Sequence, residues 1–355
     1  MRRPGAPARA LLAGALLLLP GLAAAEIQLP PGFRAQVYVT GAGFDSSQER
    51  GARGIPAVST LAFDPAGVLY LGRTGRRYFA GGEVEEIWSI YRVPAGGASL
   101  TPKTEARYFH GPPLLNPQVG AVRGDRELFV TTYDRDRKIG VLYRMVDGRA
   151  ELFAGGTPDR GAAPLLKQPE GVAVDAAGGF YVADRSQDAV VRLDAAGRVL
   201  APRYAEVMRP RVVLADGAGG LWIGADAKAE APWQQAEGEI WHVSREGVPR
   251  LVLRGPIPQA IGPSPGGGLV VADRHGARVF IVTADGGRID FVRFTDGDAP
   301  RSLVMAPVTP ATERAGIAGD LFVVVIKGGA WPVNEILRIS GPLGDFVRER
   351  RPRTP

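Results

Sequence analysis

An all-β fold, a six-bladed β-propeller of four-stranded blades closed by an N-terminal strand, is predicted by three observations on the sequence. A strand-turn-strand-loop-strand phrase recurs six times, apolar residues fall in short alternating runs without helical spacing, and 48 glycines and 30 prolines break the chain between those runs. The clearest copy is Gln168 to Leu200, QPEGVAVDAAGGFYVADRSQDAVVRLDAAGRVL. Its runs Val172 to Val174 and Phe180 to Ala183 flank an Asp-Ala-Ala-Gly-Gly turn, and a third, Ala189 to Leu193, ends in Asp194-Ala195-Ala196-Gly197.

Read in order, the chain begins with Arg2 and Arg3, an apolar run from Leu11 to Leu19 and Ala23-Ala24-Ala25, the three zones of a secretory signal peptide over residues 1–25. The run is shorter than the roughly 20 residues that span a bilayer, and no later segment is long and apolar enough. A periplasmic or secreted protein is therefore expected, with no transmembrane segment in the mature chain. The propeller is assigned to residues 26–345. Phe33 to Val39 alternates but precedes the first copy, so it is expected to pair with the last copy's third strand, Glu335 to Ile339, and close the ring.

Six second strands follow: Leu69-Tyr70-Leu71, Leu128-Phe129-Val130, Phe180-Tyr181-Val182, Leu221-Trp222-Ile223, Leu269-Val270-Val271 and Leu321-Phe322-Val323. Their spacing of about 40 to 60 residues suits four-stranded blades with loop insertions, and seven blades would leave too little chain. Residues 346–355 read as a basic tail, a loose end or a short extra strand.

The 43 Lys and Arg against 37 Asp and Glu give a net charge of +6. Removing Arg2, Arg3 and Arg9 with the leader leaves +3, and the tail from Phe346 carries +3 by itself. The propeller body is thus about neutral, which argues against nucleic acid or an anionic membrane as partner. Without cysteine there is no disulfide, thiolate nucleophile or Cys-ligated metal. A monomer is expected.

The pattern Pro-x-Gly-Val-Ala-Val-Asp, Gly, Phe/Leu-Tyr-Val-Ala-Asp, then Val-x-Arg-Leu-Asp-x-x-Gly resembles an NHL-type repeat, closely in Pro169 to Leu200 and Pro258 to Gly286. It is similar to the wider group of six-bladed propellers that includes the gluconolactonase and regucalcin-like family and the soluble quinone-dependent sugar dehydrogenases. That resemblance implies the fold and leaves the reaction open.

In a propeller the first strand of each blade lines the axis, so the residue at its start sits at the channel mouth. The matching positions are Ser59, Gln118, Glu170, Arg211, Gln259 and Arg301, and five of them follow a proline: Pro117, Pro169, Pro210, Pro258 and Pro300. All six are polar. Arg211 and Arg301 are expected to clamp an anionic or oxygen-rich group while Gln118, Gln259 and Ser59 supply neutral hydrogen bonds. Glu170 is the ring's only carboxylate and, if the protein is an enzyme, its catalytic base. The expanded loops joining second and third strands add Arg73, Arg76, Arg77, Tyr78 and Phe79 in the first blade, Lys228, Trp233 and Gln234 in the fourth, and Lys327 and Trp331 in the sixth. Aromatic faces beside cations suit a sugar, an aromatic acid or a peptide.

Resemblance to gluconolactonases implies a divalent cation held by Glu, Asn and Asp at such positions. Here only Glu170 matches, the two asparagines Asn116 and Asn334 fall off the ring, and two guanidinium groups repel a cation. Resemblance to the quinone enzymes implies a histidine beside the cofactor, for which the chain has His110, His242 and His275. No cofactor is predicted; a divalent cation or a quinone is the alternative. Asp64, Asp175, Asp194, Asp216 and Asp285 sit in tight turns and Asp184 and Asp273 end second strands, so local structural roles are expected for all seven. The functional expectation is an exported propeller binding an anionic or polyhydroxylated small molecule, or a partner's peptide, at the mouth. The alternative is a lactone or ester hydrolase, or a quinone-dependent sugar oxidoreductase, on the same face.

Overall fold

The computed structural model describes residues 27–44, 54–75, 77–78, 84–134, 136–156, 165–231, 234–328 and 333–350. Six antiparallel four-stranded units follow one another along the chain. The third blade shows the plan: Pro169–Val174, Phe180–Asp184, Ala189–Leu193 and Val199–Glu206 run from the axis outward. Each first strand touches those of both neighbouring blades, and the sixth touches the first, so the ring is closed.

Burial explains the sequence pattern. Inner strands have a neighbouring blade on both faces, so Phe180–Asp184 is buried at every residue and its first four, Phe180 to Ala183, read as a continuous apolar run. Outer strands such as Val199–Glu206 are largely exposed. The rings of Phe129 and Phe180 meet across the second and third blades at 4.4 Å, both without solvent exposure, and burying each contributes about 1.5–3 kcal/mol. Between the third and fourth blades the close approach depends on glycine near the start of the third blade's first strand. A Cβ on Gly171 would lie 2.5 Å from the carbonyl oxygen of Arg211 in the next blade.

The N-terminal segment closes the ring as expected: Arg34–Gly41 pairs antiparallel with Val333–Ser340, with Ala35 opposite Ile339 and Val37 opposite Leu337. Ile27–Gln28 adds a fifth strand to the outer edge of the fifth blade, and Ala98–Leu100 lies parallel to Arg34–Gly41 beyond the sixth. Both cover sheet edges that would otherwise be exposed.

One expectation is corrected. Leu343–Arg350 is an α-helix, where a loose end or strand was expected from Phe346 onward. Leu343, Phe346 and Val347 have the i, i+3, i+4 spacing of one helix face, and all three are buried. Phe346 packs its ring 5.6 Å from Phe33 and 5.3 Å from Phe291. Residues 351–355, like 1–26, lie outside the described residues. No helix among the described residues is long and apolar enough to cross a membrane.

Candidate functional site

Strand register gives the mouth positions a physical definition. In the third blade Pro169 pairs with Asp184 and Gly171 with Ala183, so Glu170 is an extra residue without a partner, the centre of a β-bulge. Ser59, Arg211, Gln259 and Arg301 are the extra residues of the same bulge in the first, fourth, fifth and sixth blades. A bulge re-aims the side chain it carries, and it recurs here at the inner rim of five sheets. The second blade differs: its register shifts at Gly120, and Gln118 pairs in line with Thr131.

Around Glu170 and Arg211 the third and fourth blades share a closed charge network. Asp226, with no solvent exposure, accepts from Arg211 Nε at 2.7 Å through Oδ1 and from Arg185 Nε at 3.0 Å through Oδ2. Arg185 Nε also stands 4.0 Å from Glu170 Oε1, which accepts from Gln168 Nε2 at 2.8 Å. Two acids thereby balance two arginines. Loss of solvent pushes the Glu170 carboxyl up to about 6; the charge of Arg211 opposes this, and Asp226 adds to it.

Arg211 is a tie between blades as much as a ring residue. Beyond its bond to Asp226, Nη1 donates to the Gln259 carbonyl at 3.1 Å and Nη2 to that of Pro258 at 2.5 Å. Three of the five guanidinium N–H donors are thus taken within the protein. Arg73 is likewise held inside the first blade: Nε donates to the Pro56 carbonyl at 3.0 Å, Nη1 to Tyr91 Oη at 2.8 Å, and the guanidinium lies 4.1 Å from the Trp88 ring centre.

Arg301 stands in different surroundings. Its Nη2 reaches Thr74, Oγ1 at 3.2 Å and the carbonyl at 3.5 Å. No carboxylate lies within ion-pair distance of it among the described residues. Burial, followed by the charges of Arg274 and Arg211, pushes its pKa down to about 10, so it remains a cation at neutral pH. Arg274, just after the fifth blade's second strand, is half-buried, also has no ion pair among the described residues, and has its pKa lowered by loss of solvent. Lys327, by contrast, is compensated by Asp298 at 2.6 Å and Glu335 at 3.8 Å. Excess positive charge at the mouth therefore gathers between the fifth and sixth blades.

Of the remaining expected residues, Gln259 is buried and Gln118 half-buried. Ser59 donates to the Gly72 carbonyl at 3.3 Å. Trp233 and Trp331 lie outside the described residues, as do Arg76 and Phe79. His110 sits on the outer strand Phe109–Leu115 with its ring 5.1 Å from Tyr70, and His242 bonds Asp216 at 2.8 Å beside Trp222. His275, on the mouth side, is exposed. Asp64, Asp175, Asp194 and Asp216 bond the backbone of their own turns, as Asp175 does with Ala177 and Gly179, and Asp285 accepts from the Thr283 hydroxyl. Asp184 receives Lys167 and Gln168, and Asp273 receives Gly276 and Arg278.

Sequence reasoning missed Asp226, Arg185 and Arg274. The two arginines were visible as Ala183-Asp184-Arg185 and Ala272-Asp273-Arg274. Asp226 closes the similar Ala225-Asp226 pair one residue later in its strand, which hid its different position.

A divalent cation does not fit these residues. Among the described residues no three His, Asp or Glu side chains gather as a metal set, and the ring offers one carboxylate beside two guanidinium groups. No protein-family model and no curated protein matches the chain. Among solved structures it is similar to an auxiliary nutrient binding protein from Bacteroides thetaiotaomicron (TM-score 0.55, 12% identity, covering 88% of this chain and 77% of that one). It is also similar to a gluconolactonase from Xanthomonas campestris (0.52, 14%, 90% and 96%). A third is the PQQ-bound aldose sugar dehydrogenase from Streptomyces coelicolor (0.50, 14%, 88% and 99%). At such identities the likeness is one of fold, and the chain is a six-bladed β-propeller of the architecture on which those proteins of differing activity are built.

Proposed function

We propose that the protein is an exported binding propeller, periplasmic or secreted, that takes an anionic, hydroxyl-bearing small molecule at the channel mouth. The observation that carries this reading is the pair Arg301 and Arg274, two half-buried cations at the mouth with no carboxylate within ion-pair distance among the described residues. A desolvated guanidinium is costly unless an anion meets it, and a ligand anion meets that need. Ser59 and Gln259, at bulges matching those of Arg211 and Arg301, and Gln118, in line on the second blade, would supply neutral hydrogen bonds to the ligand's hydroxyls.

A second reading rests on Glu170. A carboxyl near 6, oriented by Gln168, is poised as a general base for lactone or ester hydrolysis. A quinone-dependent oxidoreductase is less well supported, since exposed His275 has no bond to orient its ring among the described residues. The test is a thermal-shift panel of hydroxy acids, sugar acids and neutral sugars on wild type and Arg301→Gln, with lactone turnover and an absorption spectrum on the same sample. Stabilisation by acids alone, lost in Arg301→Gln and without turnover, supports the binding reading. Turnover lost in Glu170→Gln would replace it with the hydrolase.

A further inference from the structure

The junction of the third and fourth blades and that of the fifth and sixth are two copies of one arrangement. Pro169 pairs with Asp184 and Arg185 follows; Pro258 pairs with Asp273 and Arg274 follows. Pro210 pairs with Ala225 and Arg211 is the bulged residue; Pro300 pairs with Val325 and Arg301 is the bulged residue. Register therefore makes Arg274 the counterpart of Arg185 and Arg301 that of Arg211. The residue after Ala225 is Asp226, while the residue after Val325 is Ile326.

At the first junction the carboxylate bridges the arginines, one oxygen to each Nε. At the second both arginines remain and the carboxylate is replaced by an isoleucine side chain. The strand Gly268–Asp273, which Arg274 follows, packs against the strand Ala299–Met305 that carries Arg301, and the charge of Arg274 acts on Arg301. The backbone tie has gone as well. Arg211 holds the Pro258 carbonyl, but the matching acceptor at the ring closure, the Val58 carbonyl, is taken by Asn334 Nδ2 at 3.1 Å. Arg301 is left with Thr74 alone among the described residues.

We propose that a carboxylate of the bound small molecule occupies, between Arg274 and Arg301, the place that Asp226 fills between Arg185 and Arg211. This rests on the mouth being a ligand site and names the ligand's anchoring group. A carboxylate reproduces the planar, two-oxygen bridge seen at the first junction, with one oxygen for each guanidinium.

The test titrates 13C-labelled acetate into wild type and variants at constant ionic strength, read by 13C line broadening. Saturable binding to wild type is expected. Ile326→Asp supplies the carboxylate from within the chain, so acetate should bind about tenfold or more weakly, and the urea midpoint without acetate should rise. Ile326→Asn, similar in size and uncharged, should change acetate binding by less than about twofold. Acetate held equally by Ile326→Asp overturns the placement, and tighter binding of inorganic phosphate overturns the assignment to a carboxylate. Should Ile326→Asp fail to fold, Arg301→Gln decides: undiminished acetate binding overturns the proposal. An acid from the thermal-shift panel that loses binding in Arg301→Gln and keeps it in Ile326→Asp sinks this placement while sparing the mouth as a site. No binding of any acid to wild type sinks both.

Discussion

Replacing Asp226 by asparagine tests the division of the mouth into a closed half and an open half. Asp226 has no solvent exposure and gives one oxygen to each of two arginines, at 2.7 and 3.0 Å. Asparagine keeps the size but has one acceptor oxygen, so one of those bonds survives and the other guanidinium meets an NH2 group, donor against donor. Removing one partner of a buried, hydrogen-bonded ion pair costs about 3–5 kcal/mol. Glu170, 4.0 Å from Arg185, recovers part of that by compensating one of the cations, which places the expected loss near the lower end, about 3 kcal/mol. Urea unfolding at pH 7.5 followed by tryptophan fluorescence measures it, provided the dependence on denaturant stays that of wild type. Arg301→Gln, made in parallel without ligand, should lose no stability and should gain some, because that arginine leaves no carboxylate partner behind and its desolvated charge is removed. A loss below about 1 kcal/mol for Asp226→Asn, or an equal loss for Arg301→Gln, refutes the reasoning.

Three further outcomes are expected. The Glu170 carboxyl sits at about 6 in the fold against 4.5 ordinarily, so ionising it costs the folded state about 2 kcal/mol. That contribution to stability is complete below pH 4.5 and is lost as pH rises through 6. Glu170→Gln should accordingly gain about 2 kcal/mol on wild type between pH 4.5 and 7.5, and a difference that stays flat across that window contradicts the stated burial. Asp226→Asn should lower the Glu170 pKa, since the Asp226 charge helps to raise it; 13C NMR of the carboxyl reads the shift. Phe346→Ala removes the ring that joins the C-terminal helix to Phe33 and Phe291 and should cost about 3–5 kcal/mol, seen as a lower melting temperature; an unchanged melt would mean that the helix is not part of the folded core.

The blades were legible because stacking on both faces forces the inner strands to be apolar, as Phe180 to Ala183 are, and the closing strand was legible because Phe33 to Val39 alternates without a blade of its own. The C-terminal helix was not, because its three-residue face of Leu343, Phe346 and Val347 is set among Arg348, Arg350, Arg351 and Arg353, and charge dominated the reading. At the mouth, residue type and position could be aligned, but partners could not. Arg211 and Arg301 look alike in the repeat, and what separates them is an aspartate in Arg211's own blade and backbone carbonyls in the next, contacts set by tertiary packing.

The most direct measurement is the structure of crystals soaked in sodium glycolate, compared with crystals soaked in sodium chloride. A carboxylate is expected between the guanidinium groups of Arg274 and Arg301, with the Arg185–Asp226–Arg211 network unchanged. Glycolate bound at Glu170 or outside the mouth, or Arg274 turned to solvent with nothing beside Arg301, would contradict it.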